Sequence, residues 1–200
     1  DLTIGSVEGF GGTAIDGITA NGGEVRLTAG SISVDQPVSL AGSALDPADV
    51  GRFAIDAADD LIVNATIEGR SFDGSGVAGA NDVNADITTN GSPFTARGAS
   101  FDSTGATIRT AGGAGVAGGV VDILTTGAIV AGPIDSSGGA AAAFSGGHDA
   151  GAVTLDGSGV TLSDVTARGS AAAPSSGAAG GAGAGVDVRA NGATITLAGV

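Results

Sequence analysis

The one histidine of this chain, His148, sits in the run Gly146-Gly147-His148-Asp149, and there is no cysteine. That leaves no multi-histidine metal site and no nucleophilic triad with a separate base, and it rules out a disulfide framework. Carboxylates are plentiful, with 21 acidic residues among 200. Asp59 and Asp60 adjoin Leu61, and Asp46 and Asp49 share a stretch whose oxygens would in principle suit calcium. The glycine-and-aspartate nonapeptide that usually holds calcium is absent. Aspartates in turns hydrogen-bond their own backbone, so turn-making is the expectation for all four. Gly74-Ser75-Gly76-Val77-Ala78-Gly79 and Gly113-Ala114-Gly115-Val116-Ala117-Gly118 match the glycine spacing of dinucleotide-binding loops. With 39 glycines such matches arise by chance, and neither run opens a plausible helix.

Asp122, Asp156 and Asp187 are expected at equivalent outward positions of one strand type, matched earlier by Arg26 and Asp56. A glycosidase needs two carboxylates facing one cleft, and carbohydrate clefts commonly add aromatic platforms and basic side chains. This chain has no Trp, Tyr or Lys. The charges read instead as polar residues that keep a strand face solvated. No catalytic residue, cofactor-binding residue or metal ligand is assigned, no cofactor is expected, and the chain is not read as an enzyme.

What the sequence positions again and again is a strand. Glycine gives way to alternating aliphatic and polar residues in Gly23-Glu24-Val25-Arg26-Leu27-Thr28-Ala29, Gly51-Arg52-Phe53-Ala54-Ile55-Asp56-Ala57, Gly119-Val120-Val121-Asp122-Ile123, Gly151-Ala152-Val153-Thr154-Leu155 and Gly185-Val186-Asp187-Val188-Arg189-Ala190. Period-two phrases at long intervals predict a solenoid of short strands. Each phrase is followed by two more. After Val25 and Leu27 come Ile32 and Val34, then Val38 and Leu40; after Phe53 and Ile55 come Leu61 and Val63, then Ile67. The copy at Val121 continues with Ala128 and Val130, then Ile134, and the copy at Val153 with Val160 and Leu162, then Val165. Pro37 and Pro133 fall at the same offset. A weaker copy starts near Val83, Ala85 and Ile87 and continues through Phe94 and Phe101 to Ile108. Starts are thus spaced by about 28, 30, 38, 32 and 33 residues.

Length varies after the third strand, in Gly42 to Gly51, Gly69 to Asn81, Gly112 to Gly119, Ser136 to Gly151 and Arg168 to Gly185. This pattern predicts an all-β fold, a parallel β-helix of about six coils with three strands per coil and Gly/Ala-rich loops emerging on one side. Successive coils pair at roughly 4.8 Å, so six coils make a rod roughly 29 Å long. No coil folds alone, because its backbone partners lie in the coils above and below. The glycine runs read first as flexible, solvent-exposed loops; packing on one another along the rod in extended, polyglycine-like layers is the alternative reading. Asn21-Gly22, Asn90-Gly91 and Asn191-Gly192 are turn signals.

Seven basic residues, all arginines, against 21 acidic ones give a net charge of −14, which disfavours a nucleic-acid partner. No apolar run approaches the roughly 18 residues that span a bilayer, and no charged start followed by an apolar segment marks a signal peptide, so any export signal is expected outside these residues. Asp1-Leu2-Thr3-Ile4 and Ala193 to Val200 both lie in strand phrasing. Residues 1–200 are therefore expected to be a single β-helix segment, either a window of a longer chain or a subunit that stacks along its axis or through its glycine-rich loops.

Gly22 to Val38, Phe53 to Ile67 and Gly119 to Ile134 resemble the repeats of filamentous haemagglutinin-like proteins, the large secreted adhesins of Gram-negative bacteria. The resemblance covers most of residues 22 to 200. It implies a right-handed β-helix, an outer-membrane secretion or anchoring partner, a secreted or cell-surface location, and a role in adhesion or biofilm. The amino-terminal secretion domain of that family is not in this sequence. An ice-binding face would need a regular threonine array, and beyond Thr88-Thr89 and Thr125-Thr126 the coils do not continue one. The leading expectation is a structural stalk segment; its rival is a self-assembling extracellular filament, and a polysaccharide-acting β-helix enzyme is the third reading.

Overall fold

A computed structural model describes residues 2–4, 7–8, 24–40, 51–69 and 71–197. Every element among them is a strand; the alternation of inward aliphatic and outward polar residues leaves no amphipathic helical period for a helix to use. After β1 (Leu2–Ile4) and β2 (Val7–Glu8), six complete coils follow. They are β3 (Glu24–Ala29), β4 (Ile32–Val34) and β5 (Val38–Ser39); β6 (Arg52–Ala57), β7 (Leu61–Val63) and β8 (Ile67–Glu68); and β9 (Ser71–Gly74), β10 (Ala80–Val83) and β11 (Ile87–Thr88). The next three are β12 (Phe94–Gly98), β13 (Ser100–Asp102) and β14 (Ile108–Arg109); β15 (Val121–Thr125), β16 (Ile129–Ala131) and β17 (Ile134–Asp135); and β18 (Val153–Gly157), β19 (Val160–Leu162) and β20 (Val165–Thr166). β21 (Val186–Ala190) and β22 (Ile195–Leu197) begin a further turn.

First strands pair only with first strands, second with second and third with third, always in parallel, giving three sheets of seven, eight and seven strands wrapped around one lumen. The chain is a parallel β-helix. Ile32, Val34, Leu61, Val63, Ile129 and Val160 line the lumen at 1% exposure or less. Its middle section holds aromatic rings. Phe53, Phe72 and Phe94 are in register on the first sheet; Phe72 and Phe94 stack at 4.9 Å and 11°, and Phe94 meets Phe101 edge-on at 6.1 Å. Burying each such ring contributes about 1.5–3 kcal/mol before chain entropy is counted.

One corner is lined by side-chain amides. Asn84 donates to Asn64 at 3.0 Å, and Asn64 donates to Asp35 at 2.8 Å, so three successive coils share one hydrogen-bonded row. Those bonds from Asn64 and Ser33 hold the Asp35 carboxyl below its usual value.

Register corrects four sequence expectations. The weak copy beginning near Val83 is two coils: Val83 ends a second strand, Ile87 starts a third, and Phe94 opens the next first strand. The supposed loop from Gly69 to Asn81 contains β9, whose inward Phe72 is flanked by polar residues and looks like no aliphatic phrase. In the copy at Val121 the inward pair is Ile129 and Ala131, not Ala128 and Val130, because this corner carries one residue more than the corner before Val160. Finally, Asp122 lines up with Thr154 and Asp187, whereas Asp156 lines up with Leu124 and Arg189. The outward charges lie in two rows, two residues apart.

Candidate functional surface: a layered wall of glycine loops

From β14 onward, the connection between a third strand and the next first strand lengthens, through residues 110–120, 136–152 and 167–185. All three leave the same corner. Each goes out, turns and comes back, and the three lie on one another. Outgoing legs bond through Gly112 N to Ser137 O and Gly138 N to Arg168 O, both at 2.9 Å; returning legs bond through Gly118 N to Asp149 O at 2.8 Å and Gly147 N to Ala179 O at 2.9 Å. The glycines are required by proximity. A Cβ on Gly139 would overlap the Gly113 carbonyl, one on Gly118 the Ser136 carbonyl, and one on Gly147 the Ser170 carbonyl. Gly113 itself faces open space. Composition therefore sets the layer spacing: backbone sits on backbone.

The necks of these excursions are closed by buried hydroxyls. Thr89, Thr110 and Ser136 hold the same position, two residues after the start of the third strand, and are 0–1% exposed. Thr89 Oγ1 donates to Ser92 O at 2.5 Å, Thr110 Oγ1 to Gly119 O at 2.7 Å, and Ser136 Oγ to Gly151 O at 2.8 Å. Each acceptor residue returns its own N–H to the hydroxyl residue's carbonyl, at 3.1, 2.7 and 2.8 Å. The result is a two-bond clasp that recurs whatever the loop's length. At the next neck Ala167 has no hydroxyl, and only the backbone bond from Ala184, at 3.3 Å, remains. The signal in the sequence is Ile-x-Ser/Thr, seen in Ile87-Thr88-Thr89, Ile108-Arg109-Thr110 and Ile134-Asp135-Ser136.

The tips are three turns, closed by Val116 N to Gly113 O, Ser145 N to Ala142 O and Ser176 N to Ala173 O. Their third residues, Gly115, Phe144 and Ser175, have φ of +81°, +63° and +63°. Phe144 is 83% exposed, so the only phenylalanine outside the core among the described residues stands in solvent on a backbone that favours glycine.

The residues singled out for chemistry are scattered. His148 lies on a returning leg, its carbonyl accepting from Ser170 N at 2.9 Å and its N–H donating to Ser170 Oγ at 2.8 Å, with Nε2 buried and unbonded. Asp60 accepts from Ala80 N at 2.8 Å, a coil-to-coil brace; Asp46 and Asp49 lie outside the described residues. Gly74 to Gly79 joins two strands through a turn and Gly113 to Gly118 forms a tip and returning leg. Asn90-Gly91 is a turn with φ of +48° and +89°, while Asn21-Gly22 lies outside the described residues. Thr88-Thr89 and Thr125-Thr126 are on different sheets, and Thr89 and Thr125 are buried. Among the described residues no three His, Cys, Asp or Glu side chains come together to hold a metal, and no helix is long and apolar enough to cross a membrane.

The aspartates of the strand faces pair with arginines of neighbouring coils: Asp56 with Arg26 at 2.5 Å, Asp73 with Arg52, Asp122 with Arg97, Asp135 with Arg109 and Asp156 with Arg189. Exposed pairs of this kind contribute about 0–1 kcal/mol each and chiefly favour register. No protein-family model, curated protein or solved structure matches this chain.

Proposed function

We propose that this chain is a structural rod, a stalk segment of a bacterial cell-surface adhesin that acts in adhesion or biofilm and carries out no catalysis. One observation supports this best: every boundary between complete coils is crossed by three parallel ladders, and the later boundaries add a fourth contact, loop on loop. Such a body holds its length through many backbone bonds acting together. The resemblance to filamentous haemagglutinin-like repeats supplies the cell-surface setting of a Gram-negative bacterium and the outer-membrane secretion or anchoring partner. Deleting the six complete coils from the parent protein and imaging it by electron microscopy tests the reading. The rod is expected to shorten by roughly 29 Å with its ends intact; an unchanged length or a collapsed particle refutes it.

A second reading is a self-assembling extracellular filament, favoured by the backbone-on-backbone packing of the glycine loops, a mode of contact that a second copy's loops could continue. Axial or loop-mediated stacking of copies would build it. Sedimentation of the 18.5 kDa chain as fibres supports that reading, and a stable monomer removes it.

A further inference from the structure

The row of loops has a gap. Only residues 69–70 separate β8 from β9, and only residues 89–93 separate β11 from β12, before the wall begins at residue 110. Among the described residues no long loop lies over the outer face of the first sheet there. It carries a hollow of about 470 Å³, with Arg52, Ser71, Asp73, Ser92, Pro93 and Thr95 in its lining, a size within the range of small-molecule sites.

We propose that this hollow binds a short neutral oligosaccharide. The Asp73 carboxylate offers acceptors, and its ion pair with Arg52 across neighbouring coils fixes it. The hydroxyls of Ser71, Ser92 and Thr95 donate and accept in turn. A ligand whose own hydroxyls do both satisfies this set without leaving a charge unpaired. Pro93, exposed beside them, gives an apolar surface for the C–H face of a sugar ring.

Other polymers fit less well. An extended peptide needs an unpaired strand edge or a deep apolar pocket, but β6, β9 and β12 are each paired on both sides, and Phe72 is turned into the core. A polyanion meets a chain of net charge −14. The rod reading needs no ligand, so this site stands apart from it.

The test is an NMR titration of the isotope-labelled protein with neutral gluco-, manno- and galacto-tetrasaccharides to about 10 mM. Amide shifts confined to residues 71–75 and 92–95, saturating with at least one sugar, are the expected result. Asp73→Asn and Thr95→Val are each expected to weaken that binding at least about fivefold while the circular dichroism stays that of the parent. Should Asp73→Asn fail to fold, Thr95→Val and Ser71→Ala carry the comparison. No shift with any sugar, shifts elsewhere, equal affinity in the variants, or preferential binding of an extended peptide or a polyuronate would overturn the proposal. A rod that binds no sugar is still a rod, so this failure leaves the stalk reading as it was, and a parent that proves not to be a rod leaves the hollow in place.

Discussion

Thr110→Val is the sharpest probe of the clasped necks. Thr110 is 0% exposed, and its Oγ1 lies 2.7 Å from the buried Gly119 carbonyl. Valine keeps the shape and removes the donor. Leaving a buried carbonyl without a partner costs about 1–3 kcal/mol, and the methyl that replaces the hydroxyl returns less than about 1 kcal/mol. The net loss is about 1–2 kcal/mol, or roughly 3–6 °C in Tm for a chain of this size. Because coils interact only with neighbours, the damage should be local. Thermal denaturation followed by circular dichroism gives the size of the effect, and hydrogen exchange gives its place. Amides 112–119 are expected to exchange faster while β15 and β18 keep their protection. The opposite change, Ala167→Ser, adds the absent hydroxyl opposite Ala184 and should raise stability by about 0.5–1 kcal/mol. A Thr110→Val protein that melts within about 1 °C of the parent with unchanged exchange, or an Ala167→Ser protein that melts lower, refutes the clasp as a source of stability.

Phe144→Gly should stabilise the chain by about 0.5–1 kcal/mol, since relief of a left-handed backbone outweighs the extra freedom of glycine in the unfolded chain and no packing is lost; chemical denaturation reads the sign. Gly139→Ala should lower the denaturation midpoint, by more than about 1 kcal/mol in stability, because its Cβ overlaps the Gly113 carbonyl, whereas Gly113→Ala, facing open space, should leave it unchanged. Phe72→Ala, in the middle of the ring stack, should cost about 3–5 kcal/mol by the same measurement. Acid titration should show stability falling as pH drops below about 4. For Asp73 burial pushes the carboxyl up, but the Ser75 and Arg52 hydrogen bonds outweigh it and leave the value lowered; Asp35 is lowered too. Groups lowered on folding stabilise above their unfolded pKa and lose that contribution as they protonate. A melting temperature that rises between pH 5 and pH 3 would contradict this assignment.

The alternation at Val25, Phe53, Val121 and Val153 made the three-stranded coil readable, because a lumen accepts only apolar residues at every second place. The middle of the rod was not readable in that way. Phe53, Phe72 and Phe94 are 19 and 22 residues apart, and their connections are so short that the repeat falls well below the roughly 30 residues seen elsewhere. A single ring in Ser71-Phe72-Asp73-Gly74 fills the space that two aliphatic residues fill in other coils. The single row drawn through Asp122, Asp156 and Asp187 failed for another reason. Alternation tells inside from outside, but only pairing tells which outward residue stands above which. Glycine content alone suits a flexible loop as well as a layered one, so the loop-on-loop packing came only as the second reading, and the hydroxyls that close the necks were not legible at all, because Thr and Ser at the end of a short strand look like ordinary turn residues until both bonds are seen.

The same pair of bonds closes an excursion of two residues between Thr89 and Ser92, eight between Thr110 and Gly119, and fourteen between Ser136 and Gly151. The solenoid is therefore insulated from whatever is threaded through those gates. A foreign peptide spliced in place of residues 140–147, with Ser136 and Gly151 kept, would give up the bonds that Ala140, Ser145 and Gly147 make to the loops on either side, but the clasp and the three strand ladders would still hold the coil, which makes this corner a natural port for cargo.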